Sequence, residues 1–129
     1  MSKIAIDFGT GNTVLARFNE TLGRAETIEV PGITAELRYR LHPDASEQAV
    51  HVVPSLIHYS ESETLIGDQV LSRGLAEHHD TMRWMKRSIA QGVSTAHRTA
   101  QGHIKPAQAG DDFLRLLLGY ASNLVSFTQ

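Results

Sequence analysis

Apolar and polar positions alternate from the start of the chain. Ile4, Ile6 and Phe8 recur at every second position and predict a strand over residues 3–8. Val14 to Phe18 predict a second strand over 13–19, and the four-residue link Gly9-Thr10-Gly11-Asn12 is short enough to make the pair a hairpin. Thr27 to Val30 predict a third short strand, ended by Pro31-Gly32. Leu37, Tyr39 and Leu41 alternate with charged residues, the pattern of a strand washed by solvent, before His42-Pro43-Asp44 breaks it. Residues 51–59 are extended, and Pro54, lacking an amide, implies an edge or a break there.

The period then changes. Val70, Leu71 and Leu75 predict a helix opened by Gly67-Asp68, with Asp68 as its N-cap. Met82, Met85 and Ile89 predict a second helix, capped by Asp80 or Thr81. Residues 91–105 are rich in Gly, Ser, Thr and Gln and predict loop or short strand. Phe113, Leu116, Leu117, Tyr120, Leu124 and Phe127 predict a closing helix with one broad apolar face, with Asp111 and Asp112 in its first turn, where the helix dipole favours negative charge. Strands first and helices afterwards make a mixed α/β chain of α+β character.

Composition narrows the classes. A chain of 129 residues fits one domain, and a formal net charge of −2 gives no basic footprint for nucleic acid or a membrane surface. There is no cysteine, which excludes a disulfide framework, a zinc ribbon and a thiol nucleophile and fits the cytoplasm. The apolar runs are too short to span a bilayer, and the start lacks the apolar stretch and cleavage site of a secretory signal. The histidines show no ligand spacing, no Gly-x-Ser-x-Gly elbow occurs, and Met82, Trp84 and Met85 read as packing residues.

The first turn carries the candidate chemistry. Two glycines let backbone amides converge without Cβ obstruction, a nest suited to phosphate oxygens, to which Thr10 and Thr13 can add hydroxyls. Asp7 stands beside it. A carboxylate next to phosphates repels them unless a cation intervenes, which points to Mg²⁺ held through water. No Gly-Lys-Ser/Thr follows, so this is not a Walker loop. From spacing alone, a plain hairpin with a Gly-Asn turn explains the stretch equally well.

IAIDFGTGNT resembles the first phosphate motif of the actin, hexokinase and seventy-kilodalton heat-shock chaperone superfamily. Three later stretches, in the right order, resemble the heat-shock branch: VVPSLIHY its Thr-Pro-Ser strand, LIGDQV the segment before its next helix, and MKRSI its Ile-Lys-Arg-Leu-Ile signature. The resemblance implies part of a ribonuclease-H-like, actin-like ATPase fold. Residues of about 1–32 and 106–129 would form the core subdomain and about 33–105 a small peripheral one. It implies Asp7 as the water-mediated Mg²⁺ ligand; Gly9, Thr10, Gly11, Asn12 and Thr13 as the loop around the phosphates of ATP or ADP; Lys86 as the lysine that positions the attacking water; and Arg87 as a lining of the nucleotide cleft.

The departures from that family are specific. Gly11 stands where its chaperones carry threonine, residues 33–49 look inserted, and 91–105 look shortened. The second phosphate motif, the second catalytic aspartate and the adenosine motif would lie beyond Gln129. The resemblance therefore implies the amino-terminal part of a stress-response chaperone that hydrolyses ATP to bind and release unfolded polypeptides with co-chaperones. The 129-residue chain alone would be inactive and prone to self-association. Two other readings stay open: an actin-like filament or plasmid-partition ATPase, which Gly11 favours, and a non-catalytic interaction module on the same fold.

Overall fold

The first two strands form the predicted hairpin. In the computed structural model, which describes residues 3–124, β1 (Ile4–Phe8) pairs antiparallel with β2 (Asn12–Asn19), and Phe8 lies opposite Thr13. Strand β3 (Arg24–Thr27) pairs with the far half of β2, where Ala16 faces Thr27. It falls earlier than the hydrophobic run predicted. Glycine at position 23, with φ of 66°, turns the chain directly into pairing, and Ile28 and Val30 instead become buried core after the strand ends.

Strand β4 (Ala35–Tyr39) pairs with β5 (Gln48–Pro54), and β5 reaches β2 through Asn12 opposite Pro54 and Thr13 opposite Val53. The sheet order is β1-β2-β5-β4, with β3 also on β2. Leu37 and Tyr39 remain exposed on β4, as the alternation predicts. Pro54 ends β5, and the chain restarts in β6 (Ile57–Tyr59). A second, three-stranded sheet places β6 between β7 (Thr64–Ile66) and β8 (Thr81–Met82). Strands β9 (His97–Thr99) and β10 (Gly102–Ile104) make a separate hairpin.

The helices differ most from expectation. Helix α1 (Asp68–Ser72) is capped by Gly67 rather than Asp68 and stops before Leu75. Helix α2 (Met85–Ala90) is not capped by Asp80 or Thr81. Thr81 and Met82 pair with β6 instead, and the Thr81 hydroxyl donates to the Leu75 carbonyl at 2.7 Å, so tertiary pairing outcompetes the local capping signal. Helix α3 (Pro106–Ser122) begins at a proline in its first turn, which moves Asp111 and Asp112 into the second turn. There Asp111 accepts a hydrogen bond from Arg115. Leu124 lies beyond the helix and is exposed, and Phe127 lies outside the described residues.

Helix α3 closes the core. Its residues Ala109, Phe113, Leu117 and Ala121 recur at spacings of four and are fully buried. Phe113 stacks on Phe8 of β1 with ring centroids 5.9 Å apart. Gly110 admits the Ile89 side chain of α2, which would stand 3.2 Å from an added Cβ. The Tyr59 hydroxyl donates to Asp112 at 2.7 Å and ties β6 to α3. Burial, and then that bond, push the Tyr59 phenol above its ordinary range.

Gly67 is a tight backbone position in this arrangement. Its φ is 61°, and an added Cβ would stand 2.6 Å from the Ile33 carbonyl oxygen and 2.9 Å from a Val53 methyl. Gly67→Ala is expected to cost about 2–4 kcal/mol of stability, through strain and overpacking. Gly11→Ala, with open space around it, is expected to change stability by less than about 0.5 kcal/mol. Urea unfolding midpoints of the two variants check the contrast.

Candidate functional site: the first turn and its cleft

The turn from β1 to β2 is held from one side by a single residue. Ser55, just past Pro54, donates its hydroxyl to the Gly9 carbonyl at 2.9 Å and its amide to the Gly11 carbonyl at 3.0 Å. A hydroxyl carries one proton, so the 2.8 Å contact between Ser55 Oγ and Thr13 Oγ1 is donated by Thr13. Thr13 and Ser55 are both buried. Every peptide bond here is trans, so a carbonyl and the amide of the following residue point in opposite directions. Drawing the Gly9 and Gly11 carbonyls toward Ser55 therefore turns the Thr10 and Asn12 amides away from it. The Thr10 and Gly11 amides have no hydrogen-bond partner among the described residues. Both residues are exposed.

Gly9 is required for a different reason. A Cβ there would overlap the Asn12 carbonyl, so the turn closes too tightly for any side chain at that position.

The turn forms one wall of a cleft of about 300 Å³. Thr10, Gly11 and Asn12 of the turn line it with neighbouring Ser55; Ala35, Leu37 and Val52 of the β4–β5 pair contribute as well; and Leu71, Ala76, Arg83 and Trp84 complete the lining. Trp84 has φ of 62°, the left-handed region that a bulky side chain rarely adopts. It immediately precedes α2, and the Arg83 guanidinium sits 5.7 Å from its ring centre. Arg83 is itself held by two hydrogen bonds to Glu77, at 2.7 and 3.0 Å.

The residues singled out from the sequence are therefore distributed as follows. Thr10, Gly11 and Asn12 share the cleft wall. Gly9 shapes the turn, and the Thr13 hydroxyl is committed to Ser55 inside the protein. Asp7 is exposed near the end of β1. Lys86 and Arg87 are exposed on α2, just beyond the cleft-lining Trp84, and are not among the cleft residues. Ser55 had no assigned role in the sequence reading, although the Val-Pro-Ser stretch pointed at it. Among the described residues, no group of three or more His, Asp or Glu side chains is placed to hold a metal directly. None of their helices is long and apolar enough to cross a membrane.

No family model matches the chain. The chain is similar to a chaperone protein HscA homolog of Shewanella frigidimarina, with 24% identity over 138 aligned residues that cover 92% of this chain and 19% of the relative. The chain thus spans about a fifth of that relative's length. That relative is a chaperone by name, in line with the branch that the three later sequence stretches resemble.

Ser55→Ala removes the donor to Gly9 and the acceptor of the buried Thr13 hydroxyl. The expected cost is about 1–3 kcal/mol. Because Thr13→Val removes the group that Ser55→Ala orphans, the double variant is expected to lose less stability than the sum of the two singles. A double-mutant cycle in urea measures this coupling.

Proposed function

We propose that this chain is the first part of the nucleotide-binding domain of a seventy-kilodalton heat-shock-type chaperone, with an actin-like ATPase fold, acting in the cytoplasm. The whole protein would bind and hydrolyse ATP and use that cycle to bind and release unfolded polypeptide with the help of co-chaperones. The observation that carries the reading is the outward turn of the Thr10 amide beside the cleft, forced by the Ser55 clasp. The similarity to a named chaperone across most of the chain supports the same branch.

In this reading each residue has a stated task. The Thr10 and Gly11 amides and the Thr10 hydroxyl would donate to phosphate oxygens, which gain most from donors already fixed in place. Gly9 and Thr13 would keep the turn in shape. The residues present fit a hydrated magnesium ion better than a directly ligated one: Asp7 is an exposed carboxylate with no ion pair among the described residues. Bound through water at Asp7, magnesium would offset phosphate charge. Lys86 would stabilise charge on the transferred group and hold the attacking water, and Arg87 would line the same side. The open edge of β1 would be completed by more sheet or by a second copy, so the chain alone is expected to self-associate.

Two measurements test this. Adding ADP with magnesium to the chain is expected to shift the amide resonances of Thr10 and Gly11 saturably, with no ATP turnover by the chain alone. Amides that stay in place at millimolar nucleotide would remove the phosphate reading. In the longer protein, Lys86→Ala is expected to lower ATP turnover by about a hundredfold while leaving nucleotide affinity nearly unchanged. Unchanged turnover would favour a non-catalytic module.

A further inference from the structure

Four of the chain's seven histidines gather around one segment. The loop between α1 and β8 supplies His78, His79 and Asp80, β6 supplies His58, and β9 supplies His97. The hydrogen bonds fix the protons. The Thr81 hydroxyl spends its proton on the Leu75 carbonyl, so it accepts at 2.8 Å from His58, whose Nδ1 is the protonated nitrogen. His58 is buried. His78 Nδ1 accepts the Asp80 amide at 3.0 Å, so that nitrogen carries no proton. The rings of His58 and His78 meet edge to face, 4.9 Å between centroids. His97 donates from Nε2 to the His79 carbonyl, 2.6 Å away.

We infer that this cluster is an acid-released latch that fastens the segment Ala76–Trp84, with its strand β8, to β6 of the three-stranded sheet. Protonating His78 places an N–H against the Asp80 N–H and breaks that bond. Protonating His58 puts a cation in the interior beside a second imidazole. Both events are relieved if the segment swings away.

The surrounding charges oppose each other. Burial, first, and the nearby His78 lower the His58 pKa, while Asp80 and Glu63 raise it, and the net direction is down from 6.5. Asp80 is held below its ordinary carboxyl value, chiefly by its hydrogen bond with His79. Asp80 lies 3.2 Å from His79 and 4.0 Å from His78, so it softens the acid response without cancelling it. Glu77 is engaged by Arg83. The sign follows: a histidine held neutral in the fold contributes its stability in full above pH 6.5, and loses it as the pH falls from there toward its lowered value.

The chain's single tryptophan, Trp84, ends the latched segment and reports its position directly. Its emission is expected to change reversibly between about pH 7.5 and about pH 5. Over the same range, hydrogen-exchange protection of residues 76–84, corrected for intrinsic rates, is expected to fall about tenfold. Amides of α3 are expected to stay protected. His78→Asn keeps an acceptor for the Asp80 amide but cannot titrate, and is expected to blunt the response, as is His58→Asn. His42→Gln, on a distant exposed loop, is expected to leave it intact. Three results would overturn the latch: steady emission and protection across the range, an unaltered transition in His78→Asn, or loss of α3 protection at the same pH. If His58→Asn does not fold, His78→Asn decides alone.

Discussion

The hydroxyl of Ser55 is the contact on which the arrangement of the first turn depends. It joins two parts of the chain separated by more than forty residues, the hairpin and the end of β5. One of its lone pairs accepts from Thr13, its proton goes to Gly9, and its backbone amide takes Gly11. Without a proline at position 54, β5 could continue pairing and carry Ser55 past the turn. Pro54 ends the ladder, and the next residue becomes free to reach sideways. A break in one strand thereby fixes the geometry of a turn in another.

The consequences reach the cleft through planar peptides. Once two carbonyls are drawn inward, the amides across the same bonds face outward. No ligand is needed to set that orientation. An anion reaching the turn meets donors whose ordering cost was met on folding, and this distinguishes a nest from a flexible glycine loop. The neutrality of the clasp also matters, since a charged residue in place of Ser55 would have to be buried beside Thr13.

Much of this architecture was legible in the sequence, for reasons that can be traced residue by residue. Alternation at Ile4, Ile6 and Phe8 and the missing amide of Pro54 are local signals, and they placed β1 and the end of β5. The three- and four-residue spacings of Phe113, Leu116, Leu117 and Tyr120 likewise mark α3. The capping signals at Asp68, Asp80 and Thr81 misled because a hydroxyl or carboxylate suits several partners: Asp80 bonds to neighbouring His79, and Thr81 reaches a distant strand. Thr81 faces Leu75 nearby and also His58, a contact that no local window contains. The left-handed Trp84 had no signal at all, since nothing about tryptophan favours that region. For the candidate site, the turn itself was readable from its glycines. That Thr13 points inward was not, because its hydroxyl answers to a serine forty-two positions away.

The two walls of the cleft are fastened by different chemistry. On the turn side, the fastening consists of hydroxyls and backbone groups, none of which titrates near neutrality. On the far side, the segment leading to Trp84 is held by the β6–β8 backbone pairing and, beside it, by imidazoles and their carboxylate neighbour. A fall in pH therefore acts on one wall and leaves the other as it was. Helix α2 begins directly after Trp84, and buried Met85 keeps it in the core. A loosened segment would alter the approach to the turn without dismantling the turn or the helix. A cleft with one fixed wall and one conditional wall changes its width, while the donors on the fixed side keep the orientation that Ser55 imposes.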